Sequence, residues 1–183
     1  MKVPDVITAA YLQRVTAWYL ERYGSSAGNL RRVLIQRVIR SAETERSEGE
    51  RLVDAEIARL EAAGLVNDGL YAADKARSLR RRGSSARTVR AALRAKHLSD
   101  EAITHALDVA TPASGADPEW EAARTWARKH RVGPWRRDPA APDLDARRRE
   151  MARMARAGFG FDLARRVVDA ARIEDLDDDP PDR

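Results

Sequence analysis

Apolar residues in this chain recur every three or four positions, and no stretch alternates convincingly at every second one. The pattern predicts helices and no sheet. The first helix is expected at 9–22, with Ala10, Val15, Trp18 and Tyr19 as candidate buried positions, and Tyr23-Gly24-Ser25-Ser26 stops it. Ser25 or Ser26 can cap the next helix, 27–40, by accepting a free first-turn N–H. Leu30 and Leu34 mark the buried side of that helix, with Val33, Val38 and Ile39 as further candidates. Residues 41–49 are polar and fit either a loop or a helix extension. The third helix, 50–63, puts Leu52, Val53, Ile57 and Leu60 on one side and ends at Gly64, a good left-handed terminator.

Asn67 or Asp68 caps the next helix, at 69–82, and helices at 86–96 and 101–110 follow. Residues 111–118 hold two prolines, a glycine and a serine, and read as a linker. The last group is expected at 119–131, 145–157 and 162–173. Gly133, Pro134, Pro139 and Pro142 exclude a continuous helix between the first two of these.

The pattern repeats. Gly24-Ser25-Ser26-Ala27 matches Gly83-Ser84-Ser85-Ala86, and Leu30, Arg31 and Leu34 match Val89, Arg90 and Leu93 at the same offset. A weaker echo aligns Met154, Phe159 and Val168 with Leu93, Leu98 and Leu107. The chain is read as an all-α, elongated array of three tandem three-helix repeats, at 9–66, 67–111 and 118–173, with an unstructured acidic tail at 174–183 and a loose arm at 1–8.

Charge sharpens the picture at one place. Residues 75–99 contain seven Arg and two Lys and no Asp or Glu. The candidate contacts for a polyanion or an acidic protein groove are Arg77, Arg80, Arg81, Arg82, Arg87, Arg90, Arg94 and Lys96. Arg31 and Arg32 in the first repeat, and Arg149 and Arg153 in the third, extend the stripe. Guanidinium suits this task because its planar fork binds phosphate or carboxylate in two places. The bland alternative is a solvated face whose Arg stems pack on Ala and Leu. The net charge of +5 understates the body, because six acids sit in the tail from Glu174 onward. That tail reads as a solvated end, and the sharper alternative is that it screens the basic face.

Trp18 and Trp126 lie on apolar helix faces and are expected in the core. Trp135 stands in a Pro-Gly loop beside Arg136 and Arg137, where folding the loop onto the body is weighed against base stacking.

Catalytic machinery is not visible. There is no cysteine, the three histidines have no metal-ligand spacing, and no phosphate loop occurs. No cofactor, metal or catalytic residue is expected. No apolar run approaches the roughly 20 residues that span a bilayer, and no secretory leader is seen, so a monomeric cytoplasmic protein is expected.

Several motifs in order resemble one family. Gly64-Leu65-Val66-Asn67-Asp68, then Tyr71-Ala72, then Arg80–Gly83, then Val89, Leu93, Lys96 and Leu98 are similar to the centre of the RecX regulatory proteins. Ala157-Gly158-Phe159-x-Phe161-Asp162 with Ala164-Arg165-Arg166-Val167 resembles that family's last helix pair. His97 departs from the pattern, standing where a glycine is usual, and Asn29 replaces a commonly acidic residue. The resemblance implies a curved array of three-helix repeats. It also implies a partner, the RecA filament on single-stranded DNA, whose ATPase and strand exchange it would limit. The alternative is a stand-alone, helix-turn-helix-like DNA-binding protein, also open to duplex DNA, acting mainly through phosphate contacts. A scaffold for another acidic protein, with no DNA dependence, is a third reading.

Overall fold

A computed structural model describes residues 2–110, 117–136 and 144–177. The described residues form nine α-helices and two short 3-10 turns, with no strand among them. The helices are α1 (Ala9–Arg22), α2 (Ala27–Ile39), α3 (Arg46–Ala62), α4 (Asp68–Arg81), α5 (Ala86–Arg94), α6 (Asp100–Val109), α7 (Pro118–His130), α8 (Leu144–Arg156) and α9 (Phe161–Asp169). By contacts the chain divides into two units, Met1–Ala72 with Arg94–Ala102, and Ala73–Leu93 with Ile103–Arg183. The dividing lines pass through α4, α5 and α6, so the expected second repeat is shared between the units.

In the first unit α1 and α2 pack on α3 around Leu12, Val15, Leu30, Leu34, Val53 and Leu60. Among them lies one carboxylate. Glu56 is 5 % exposed, and its Oε1 accepts a 2.7 Å bond from Thr16 Oγ1. Both its oxygens accept from Arg59, at 2.8 and 2.9 Å. Burial works against its charge, yet the bonds from Arg59 and Thr16 together hold it below the ordinary carboxylate range. The described part of the expected loose arm, residues 2–8, is tied to the unit. Ile7 is buried, its N–H donates to Thr44 Oγ1 at 2.7 Å, and Asp5 O accepts from Glu43 N at 2.9 Å.

The Thr16–Glu56 bond also explains a misplaced core. It draws Thr16 into the buried arc of α1 with Tyr11, Leu12 and Val15. That rotates Ala10 and Trp18 outward, and Trp18 is 39 % exposed. Ile39, another expected core residue, is also exposed.

The second unit is built on Trp120, Ala123, Met154, Phe159, Val167 and Val168, with Trp135 packed against them. Arg136 bonds Glu150 through three contacts of 2.6–3.0 Å, and Glu150 Oε2 also accepts from Gly133 N. Phe161, expected as an anchor, is exposed, and α9 ends at Asp169 rather than 173. The chain turns there because Leu176 is fully buried in this core. Arg172 N donates to Asp175 Oδ2, and Arg124 to Asp177 Oδ1. The acidic segment therefore begins as a 3-10 turn fixed to the unit. Its remainder, 178–183, lies outside the described residues, as do Arg137, Pro139 and Pro142.

Each unit contains the same clasp. In the first, Ser26 caps α2, accepting from Asn29 N at 3.2 Å, and donates to Lys96 O; Ala27 N donates to Asp68 Oδ1 at 2.7 Å. In the second, Ser85 accepts from Thr88 N at 3.2 Å and donates to Ala157 O at 2.7 Å; Ala86 N donates to Glu119 Oε2 at 2.9 Å. Both serines are fully buried. The residues just past the accepted carbonyls, His97 and Gly158, both have left-handed backbones, with φ of 58° and 98°. This is why glycine is the usual residue there. His97 fits because it faces Gly28, whose missing β-carbon would lie 2.6 Å from that of His97. In the second unit Arg87 faces Gly158, so the glycine has changed sides. Asn29 is a donor within this arrangement. Its Nδ2 reaches Ser25 Oγ at 2.9 Å and Tyr19 Oη at 3.3 Å, which an ionised acid cannot do.

His97→Gly removes the left-handed strain and is expected to stabilise the chain by roughly 0.5–1 kcal/mol. Gly28→Ala drives a β-carbon into His97 and is expected to destabilise by roughly 1–3 kcal/mol. Denaturant unfolding of both variants measures this, and a Gly28→Ala chain as stable as wild type contradicts the packing.

Candidate polyanion-binding surface

The basic stretch is placed by the clasp, and the clasp sorts its members. Arg80 lies in the last turn of α4, with its side chain only 10 % exposed, paired with Glu119 and donating to Ser84 O at 3.3 Å. The carboxylate that holds the α5 N-terminus thus also holds Arg80. Arg80 is therefore held inside the joint and not on the wet face where the sequence puts it. Arg87 is exposed, and its guanidinium donates to Ala155 O at the C-terminal end of α8. That end carries partial negative charge, which favours a cation.

Arg81 and Arg82 follow Arg80 directly. Both are exposed, and neither side chain has a partner among the described residues. The turn that carries them packs on α7, for a β-carbon on Gly83 would lie 2.7 Å from Trp126 N. Trp126 is half-buried and packs against the edge of the second unit's core. Its ring stacks on His130 at 4.1 Å and 17°, and meets Phe159 edge-on at 5.9 Å. Arg153 sits 6.0 Å from the same ring and donates to His130 O at 2.9 Å. Arg149, one turn before it on α8, is exposed and without a partner among the described residues. In the second unit the structure therefore gathers the Arg81–Arg82 turn, the Trp126–His130 stack and Arg153 around one end of α7. The spacing of Trp126 and His130 by four was the missed signal for this stack.

The remaining candidates are engaged to different degrees. Acids bordering the stretch, absent from 75–99 itself, reach into it. Arg77 pairs with Asp74, and Arg94 with Asp100 at 2.8 Å. Arg90 donates to Thr104 Oγ1 at 3.2 Å. In the first unit Arg31 forms a two-point pair with Asp54 at 2.6 and 3.2 Å, and this bond raises its pKa above the ordinary arginine value. Arg32 makes a 3.4 Å bond to Asn29 Oδ1. The Lys96 ammonium has no partner among the described residues. The exposed ion pairs are worth only about 0–1 kcal/mol each.

Comparison with known proteins agrees with this architecture. The family model for the second three-helix domain of RecX matches residues 67–107. The regulatory protein RecX of Myxococcus xanthus (strain DK1622) is 40 % identical over 172 residues, covering 92 % of this chain and 90 % of that protein. The chain belongs to the RecX family. A crystal structure of a regulatory protein RecX has the same fold, with a TM-score of 0.63 at 20 % identity, over 85 % of this chain and 68 % of that one. The segment matching the RecX second domain starts beside Asp68 and holds the whole run from Arg77 to Lys96.

Among the described residues no helix is long and apolar enough to cross a membrane, and no group of three or more His, Asp or Glu side chains is placed to hold a metal ion.

The sorting of the arginines is testable by stability alone. Arg80→Ala leaves Glu119 without its cation and is expected to destabilise by roughly 1–3 kcal/mol. Arg81→Ala and Arg82→Ala are expected to stay within about 0.5 kcal/mol of wild type. Urea unfolding of the three single variants reads the difference, and equal losses at all three positions contradict it.

Proposed function

We propose that this RecX-family chain is a non-enzymatic regulator that binds the RecA filament on single-stranded DNA and lowers its ATPase and strand-exchange activity. The observation that carries the reading is the pair Arg81 and Arg82. They are exposed, have no partner among the described residues, and lie in the segment that matches the family's second domain. Their forks suit phosphate oxygens or acidic side chains of the filament. Arg149 and Lys96 supply further charge. Binding that favours one state of the filament shifts it by mass action, so inhibition needs no chemistry on DNA or nucleotide.

A second reading, a stand-alone DNA-binding protein acting through phosphates, draws on the composition of α5. That helix is rich in Arg and Ala and has no Asn or Gln to read an adenine edge. It predicts duplex binding without sequence preference and no RecA dependence.

The test is RecA's ATPase on single-stranded DNA titrated with the wild-type chain and with Arg81→Glu/Arg82→Glu. The wild type is expected to inhibit. The double variant, unchanged in thermal unfolding, is expected to need at least about tenfold more protein, because two charge-assisted contacts become repulsions. Inhibition unchanged in the variant removes this turn from the mechanism. Salt-sensitive DNA binding by a wild type that does not inhibit favours the second reading.

A further inference from the structure

Trp18, expected inside and found exposed, stands on a face of α1 outside the core of the first unit. Arg14, Trp18 and Arg22 follow one another at intervals of four residues, so they form one stripe about 12 Å long on the helix. Trp18 is 39 % exposed. Arg14 is exposed and has no partner among the described residues; it borders a shallow hollow with Lys2, Val6 and Asp5. Arg22 rests 4.7 Å over the Trp18 ring and donates to Trp18 O at 3.2 Å and to Glu21 Oε2 at 2.8 Å. On the adjoining face Tyr23 is 54 % exposed, and its ring lies 5.3 Å from that of Tyr19.

We infer that this stripe is a second contact for single-stranded nucleic acid, in which the Arg22 guanidinium moves off the Trp18 ring to a phosphate, Trp18 stacks a base in its place, and Arg14 holds a phosphate on the other side. An aromatic ring accepts any base, because every base offers a flat face. The flanking cations fix the polarity of the ligand: one large apolar ring lies between two guanidinium groups, and Ala10 and the arginines are the other residues of the stripe. A protein hot spot is enclosed by near-neutral contacts that exclude water, whereas the neighbours of Trp18 along the stripe are two arginines and Ala10. The contact of Arg22 with Glu21 is an exposed pair that a phosphate can replace. The basic turn in the other unit then supplies charge, and the α1 stripe supplies stacking. The inference rests on the reading of the chain as one that meets single-stranded DNA, and it names a place for the bases.

The experiment is fluorescence anisotropy of labelled oligo(dT), and of an abasic oligomer of equal length, titrated with the full chain at low salt. Trp18→Ala is expected to weaken oligo(dT) binding at least about fivefold, while Trp18→Phe retains most of it. The wild type is expected to bind the abasic oligomer about as weakly as the Ala variant binds oligo(dT). Arg14→Ala/Arg22→Ala is expected to lower the salt dependence for both oligomers. Equal oligo(dT) affinity of wild type and Trp18→Ala overturns the inference, as does a wild type that binds both oligomers equally or binds neither. A Trp18→Ala chain that binds oligo(dT) normally but no longer inhibits RecA identifies the stripe as a protein contact, again against the inference. Stacking by a wild type that leaves RecA unaffected upholds the stripe and sinks the proposed function instead.

Discussion

The structure depends on the bond from a buried serine hydroxyl at one helix start to a backbone carbonyl just beyond another helix end. Helix starts leave N–H groups without partners, and helix ends leave carbonyls without partners. Ser26 and Ser85 serve both, accepting from a first-turn amide and donating to Lys96 O and Ala157 O. Because both serines are fully buried, water cannot substitute, and an unmade bond costs about 1–3 kcal/mol. The contact also brings the positive end of one helix dipole to the negative end of another. Asp68 and Glu119 complete it by accepting the Ala27 and Ala86 amides.

From this constraint follows the division of the basic stretch. A carboxylate has room for more than one donor, and Glu119 takes both the α5 amide and Arg80. Arg87 is drawn to the carbonyl of Ala155. Arg81 and Arg82, exposed at the same turn, have no such acceptor among the described residues. The same few residues therefore contain both the joint that orders the helices and the charges left for a partner. A dense run of arginine is not a uniform surface, and engagement rather than exposure distinguishes its members.

Much of this was legible in the chain. The helices follow the apolar period to within a few residues at most ends, and the twin Gly-Ser-Ser-Ala turns mark the capping serines of two helices. Serines can be seen as caps from sequence, but their second bonds, to carbonyls about seventy residues away, cannot. Nor can the Arg80–Glu119 pair, whose acid lies beyond the linker. Trp18 was misplaced because periodicity counts apolar side chains alone, whereas the Thr16–Glu56 bond sets the rotation of α1. Leu176 was hidden in an acidic segment that reads as solvent-exposed. His97 was visible only as an oddity until its backbone angle and Gly28 gave the reason.

The most direct test of the distinction between engaged and free charge is the salt dependence of binding to the RecA–single-stranded DNA filament. Wild type, Arg81→Ala/Arg82→Ala and Arg80→Ala are compared, with log K plotted against log salt. If both free arginines meet phosphate, their loss should lower the slope by about 1.4–1.8, while Arg80→Ala leaves the slope unchanged at temperatures where it is folded. A slope unaffected by the double variant, or lowered as much per residue by Arg80→Ala, contradicts the account.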